Sequence, residues 1–251
     1  MSRLRRTLTG NSIPCTASRR GKVYRKPFCA VFCVAGYALS VMVAVAARQG
    51  ESVQSVILPR IIGPIPVTSN SHPFLAANHA VEPLDLSNLG YMEKEYLVSG
   101  YSNVYDYASN GGLKIKSAGA PYTTRILVRR PMDPRRFSGN VVMELLNPSD
   151  KFDADLVWKL AHEYLIANGD VYVGITSKPI AAEFLKRYAP DRYESLSWAN
   201  PIPVDQTCPH SGPSLLPGHS SPLTEDGLIW DILTQVGSLL KSGTPMNPLA
   251  D

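Results

Sequence analysis

Two short apolar runs flank a segment of helical periodicity, and together they leave few folds open. Asn140–Leu146 (NVVMELL) is nearly all apolar, as a strand covered on both faces would be, and Asp170–Ser177 (DVYVGITS) has the same character. Between them Val157, Leu160, Ala161, Tyr164 and Leu165 recur at helical spacing. Asp153 or Asp155 is placed to cap that helix, and Asn168-Gly169 to stop it. Strand, helix and strand in this order predict two parallel strands joined by a right-handed crossover.

The flanking segments extend the pattern. Tyr96 and Val98 alternate with Leu97 and Ser99, so Glu95–Gly100 reads as a strand; Tyr101–Tyr107 continues it or pairs back, with Asn110-Gly111-Gly112 as a turn. Tyr122–Arg130 is a further strand, ended by Pro131. Downstream, Pro179 opens a helix that runs to Tyr188 and stops before Pro190, and a Pro-rich excursion spans Trp198–Pro222. Thr224 then caps a long helix carrying Leu228, Ile229, Ile232, Leu233, Val236, Leu239 and Leu240 on one side, with Gly243 as its stop. The expected class is α/β, with β-strands first, then alternating β and α, in a mostly parallel sheet. A chain 44% hydrophobic and 18% charged can bury such a core, which excludes wholesale disorder.

The N-terminus is of a different kind. Eight of the 25 basic residues, and none of the 21 acidic ones, lie in residues 1–26, so the rest of the chain is net acidic despite a formal charge of +4. The basic charge therefore does not predict nucleic-acid binding by the folded part. Phe28–Ala47 follows as an uncharged apolar run, long enough as a helix to span about 30 Å. It closes on Ala44-Val45-Ala46, the small-x-small pattern of a signal-peptidase site. Residues 1–47 are thus a leader, read as a cleaved signal peptide or as an uncleaved membrane anchor through 28–47. Residues 48–62 are a tether, and 63–251 the α/β domain. The expected location is exported, periplasmic or secreted, with inner-membrane anchoring as the alternative. Cys15, Cys29 and Cys33 lie in the leader, which leaves Cys208 alone in the domain and excludes an intramolecular disulfide or a cysteine-based zinc site there.

Candidate chemistry is sparse. Gly218-His219-Ser220-Ser221-Pro222 and Gly100-Tyr101-Ser102-Asn103-Val104 resemble a nucleophile turn but close on Pro and Val, where the strained turn needs a small residue. Ser177 ends a strand without opening such a turn. His162-Glu163 begins a zinc-protease motif that Ile166 breaks, and His72, His79, His210 and His219 show no mutual ligand spacing. Asp150, Asp153 and Asp155 lack the glycine and glutamate of a calcium loop and read as helix-capping residues. Arg129-Arg130 and Arg135-Arg136 read as solvated, and Trp158, Trp198 and Trp230 as core or pocket lining. No glycine-rich phosphate loop is present. No metal and no cofactor is expected.

Several long stretches carry a family resemblance: IPVTSNSHPF, GYMEKEYLVSGYSNVYDY, APYTTRILVRRPMDPRRFSGNVVMELLNPS, SWANPIP and TEDGLIWDI. Over about residues 62–251 they are similar, in order, to the N-terminal half of a bacterial family of exported α/β-hydrolase domain proteins. The resemblance implies a serine hydrolase whose G-x-S-x-G nucleophile, acid and histidine all lie beyond Asp251. It therefore implies no catalytic residue in this chain, which is expected to be inactive alone and to stem from a truncated frame or incomplete gene. In that fold the loop after the third strand supplies a backbone N–H to the oxyanion hole. By order along the chain that loop is Asn147-Pro148-Ser149-Asp150; Pro148 has no N–H, so Asn147 and Ser149 are the candidate donors. A small ester-like substrate is expected only for the complete protein. The alternative is a non-catalytic exported or membrane-tethered binding module, with an apolar sheet edge covered by a partner.

Overall fold

The computed structural model describes residues 56–203 and 222–250, which fall in one compact unit, Gln54–Asp251. The leader 1–47, most of the tether, and the stretch holding Cys208, His210, His219 and Ser220 lie outside the described residues.

The strand–helix–strand unit forms as its pattern predicts. Strand β4 (Val141–Leu145), helix α1 (Leu156–Asn168) and strand β5 (Val171–Ile175) follow one another, and β4 pairs with β5 in parallel, Val141 opposite Val171 and Leu145 opposite Ile175. Gly169 stops α1 in the left-handed region at φ 75°, and its N–H returns to the Ile166 carbonyl. A side chain there would also collide with the backbone: a Cβ would stand 1.9 Å from the Arg136 carbonyl oxygen.

The rest of the sheet corrects the expected topology. Strand β1 (Arg60–Ile62) falls within the segment read as tether, and β2 (Tyr91–Tyr107) and β3 (Leu113–Pro131) form a long hairpin of 17 and 19 residues. The sheet order is β1-β2-β3-β5-β4, and every pair except β4/β5 is antiparallel. The sheet is therefore mostly antiparallel, not mostly parallel. The reason is that a turn at Ala108–Gly112 joins β2 to β3 directly, with no crossover, and β3 then docks antiparallel on β5.

Helix α2 (Pro179–Tyr188) has the predicted limits, and a short α3 (Pro190–Tyr193) follows at once. Helix α4 (Ile229–Lys241) buries Ile229, Ile232, Val236, Leu239 and Leu240, as its periodicity requires. Its entry is capped by Glu225, whose carboxylate accepts from the Gly227 N–H, rather than by Thr224. Strand alternation divides the core. Val171, Val173 and Ile175 point into a large apolar cluster with α2 and α4, whereas Tyr172 points the other way, into a smaller cluster with Trp158, Leu165 and Ile166 of α1. Two further expectations fail here. The buried face of α1 is set by Trp158, Leu165 and Ile166, leaving Leu160 89% exposed and Tyr164 67%. And β4 is not covered on both sides: it is the end strand among the described residues, with Met143 and Leu145 exposed.

Candidate functional site

Strands β4 and β5 end side by side, and ligands in sheets of this type bind outside the carboxyl ends of parallel strands. The loop leaving β4 is braced at both its ends. The Asn147 N–H donates to the Ala154 carbonyl at 2.9 Å, and the Ala154 N–H returns to the Asn147 carbonyl at 3.0 Å. Within the loop the Ser149 N–H donates to Asn147 Oδ1 at 2.8 Å, and Lys151 adopts φ 67° with its N–H on the Pro148 carbonyl. Both candidate donors thus have an internal acceptor: Asn147 a backbone bridge, Ser149 a side-chain amide in an exposed turn.

The N-terminus of α1, the usual anion-binding feature after such a loop, is already filled. Glu144 on β4 accepts from the Val157 N–H at 2.9 Å, and its other oxygen accepts from the Tyr172 hydroxyl at 2.6 Å. Ser177, two residues past β5, is buried and donates its hydroxyl to the Leu146 carbonyl at 2.7 Å, which ties the two strand ends together. Ser102 is likewise buried and donates to the Leu228 carbonyl. His162 has its Nδ1 3.2 Å from the Trp158 carbonyl oxygen. Among the described residues no histidine hydrogen-bonds a serine, so no nucleophile pair is assembled there, and no metal-ligating group of three is found. Beside the loop, Phe74, Phe152, Phe184 and Tyr188 form a partly exposed aromatic cluster with ring centroids 5.1–6.1 Å apart.

Beneath this surface lies a buried ionic assembly that the sequence reading missed. Arg129, expected to be solvated, is fully buried: Nε reaches Glu93 at 2.7 Å, Nη1 reaches Asp155 at 3.0 Å, Nη2 meets the Leu75 carbonyl, and the guanidinium lies 4.4 Å from the Trp158 ring centroid. Arg130 is buried as well. Two pleat repeats away along β3, Arg125 joins Glu95, Asp153 and the Phe74 carbonyl. Glu95 also accepts from Arg192 of α3 and from the Tyr193 hydroxyl. Asp153 and Asp155, read as helix caps, are instead the loop's anchors to β3, and neither caps α1 with its side chain. Burial pushes the Asp153 carboxyl above its ordinary value, against the pull of Arg125 and the Thr176 hydroxyl. Trp158 and Trp198 are core residues, but Trp230 is 62% exposed. A signal for the assembly was present: charges at Glu93, Glu95, Arg125 and Arg129 interrupt apolar strands at same-face spacing.

Two predictions follow from this burial. Glu95→Gln leaves two guanidinium groups short of a buried anion and should cost about 3–5 kcal/mol of unfolding free energy, read from urea denaturation. At alkaline pH the sign is set by phenols. Burial raises Tyr91 to about 12 and raises Tyr122, Tyr172 and Tyr193 further, whereas unfolded tyrosine ionises near 10. The folded state then holds more protons above pH ~10, so stability present below that pH is lost as pH rises, by up to about 1.4 kcal/mol per pH unit for each phenol. The urea midpoint should fall from pH ~10 upward, and the phenolate signal of these four tyrosines, identified by Tyr→Phe changes, should appear only with unfolding; their ionisation in the folded protein would contradict this.

The comparisons with known proteins meet this geometry at one point. The family described as "Alpha/beta hydrolase domain" matches residues 61–251. Neither the curated proteins nor the solved structures yield a match. The family match spans the whole sheet from Ile61 and every helix described above, so the chain belongs to the alpha/beta hydrolase domain family.

Proposed function

We propose that this chain is the N-terminal part of an exported serine hydrolase acting on small ester-like molecules, with its nucleophile carried outside the residues described. The observation that supports this reading is the position of β4: parallel to β5, with its other edge unpaired among the described residues and the Asn147–Asp150 loop at its carboxyl end. A strand seated on that edge, parallel to β4, would end beside this loop. A serine on the turn after it would attack the ester carbonyl, and charge developing on the carbonyl oxygen would meet the loop's N–H groups. Ser149 is the better donor. Turning the Asn147 amide away frees its N–H, whereas freeing the Asn147 N–H means breaking the bridge to Ala154. The aromatic cluster of Phe74, Phe152, Phe184 and Tyr188 would wall the apolar part of the substrate. Export rests on the leader, with residues 28–47 as signal or anchor.

A second reading is a non-catalytic exported or membrane-tethered binding module, in which the edge of β4 that is unpaired among the described residues takes a strand from a partner. The two readings separate on the DNA beyond the Asp251 codon. The hydrolase reading expects an open frame encoding a strand, a G-x-S-x-G turn and later an acid and a histidine, and a stop codon with no such segment nearby favours the module. In the active hydrolase, Ser149→Pro removes the N–H and should lower kcat by about 10²–10³ with KM little changed. Ser149→Ala keeps the N–H and should stay near wild-type, and equal effects of the two variants would refute the donor role.

A further inference from the structure

A cavity of about 340 Å³ opens at the other end of the sheet, between the His72–Asn78 segment, residues 84–87 and the first residues of β2. Its place is fixed by Tyr91, which lines it, pairs with Pro131 and donates its hydroxyl to the carbonyls of Leu165 and Asp170, just ahead of β5. None of its lining residues belongs to the Asn147–Asp150 loop, although the segment that lines it also carries Phe74, which packs on Phe152 in the site proposed above. The binding argued here does not depend on that site.

The cavity's chemistry is one-sided. Val67, Leu84, Leu86, Met92 and Met132 make its walls apolar, and among the described residues no lysine or arginine lines it. Two carboxylates do, Asp85 and Glu93. Asp85 is exposed; its Oδ1 accepts from the N–H and the hydroxyl of Ser87 and its Oδ2 from the Asn88 side-chain amide at 2.9 Å, and the Ser87 hydroxyl above all holds its carboxyl below the ordinary value. Glu93 accepts from the buried Arg129 at Oε2, and the Ala77 N–H donates weakly to both its oxygens at 3.3–3.4 Å. Arg129 also pairs with Asp155, which itself pairs with Lys159 at 3.6 Å, so Glu93 belongs to a charge-balanced group and gives the cavity acceptor oxygens rather than net charge; the net negative charge there is carried by Asp85.

The histidines add to the same polarity. His72 Nδ1 lies 3.1 Å from the Pro73 carbonyl oxygen, which only accepts, so Nδ1 carries the proton and Nε2 of the neutral ring is an acceptor. His79 is held the same way by Asn78 Oδ1 at 2.7 Å and stacks on His72 with centroids 3.7 Å apart, which fixes the plane of the His72 ring. Stacked rings aim their nitrogens side by side rather than at one point, which does not suit a shared metal ion. A group that satisfies this lining donates several hydrogen bonds, is positively charged and is carried on an apolar body. We propose that the cavity is a binding site for an organic ammonium ion with a compact hydrocarbon or aromatic body.

The test uses the full chain and benzylammonium at pH 8, followed by the Hε1 resonances of His72 and His79. The expected result is a saturable shift of both, about tenfold weaker binding of benzyl alcohol, and no shift with benzoate. Met132→Trp fills the cavity and should abolish the shift. Asp85→Asn, an exposed change that leaves thermal unfolding in place, should weaken binding about fivefold. No shift with benzylammonium, an equal response to benzyl alcohol or benzoate, or a shift that persists in Met132→Trp would each overturn the proposal.

Discussion

Glu95, the fifth residue of β2, has no exposed side-chain area, and three donors from two distant parts of the chain converge on it: Arg125 of β3, and Arg192 and the Tyr193 hydroxyl of α3. Removing a carboxylate from water costs several kcal/mol, so this position is tenable only if all its partners arrive together. The requirement reaches outward. Arg125 needs Asp153 and the Phe74 carbonyl, and Arg192 needs the Pro66 carbonyl. One carboxylate thereby orders the segment before β2, the hairpin, the loop after β4 and the turn after α2. It also guards register: a one-residue slip of β2 against β3 would turn Glu93 and Glu95 into the apolar face that holds Tyr96 and Val98.

The ionic face bears directly on the loop that ends β4. Asp153 and Asp155 are pinned to β3 through Arg125 and Arg129, and Glu144 holds the first turn of α1 from the strand side. The segment between β4 and α1 is therefore fixed at both ends, and only the turn Pro148–Lys151 has room to rearrange. That is the division a binding loop needs, with a rigid frame and one N–H that a rotated side-chain amide can release. A sheet with two apolar faces would supply no such anchors to β3.

Sequence periodicity reached the elements whose burial is uniform. Strand β5, buried at every position, helix α2 between its prolines, and the stop at Gly169 all stand where composition placed them. It failed where two causes give the same pattern. Helix α1 is apolar nearly all round, so spacing alone could not choose Trp158, Leu165 and Ile166 over Leu160 and Tyr164. Alternation within β2 and β3 was readable, but their direction in the sheet is set by a short turn and by pairing with β5, which are properties of the third dimension. Arg129-Arg130 read as surface because arginine is seldom buried; only the matching acids on the neighbouring strand overturn that prior. The stacked pair of His72 and His79 is seven residues apart across an irregular segment, a spacing that no periodic rule singles out.

The edge of β4 brings the competing functional readings onto common ground. Exposed edges are usually blunted by lysine, proline or a bulge. Strand β4 has none of these, and its single charge, Glu144, is turned inward to hold α1. Met143 and Leu145 stand exposed beside an edge that is unpaired among the described residues, with Leu156, Val157 and Leu160 of α1 exposed as well. Such an edge favours being covered by another strand, because pairing satisfies its backbone and buries its apolar side chains together. A hydrolase would cover it with the strand that carries its nucleophile, and a binding module with a strand from its partner. Both readings therefore require a strand on β4, and they differ only in whether that strand brings a serine to the Asn147–Asp150 loop.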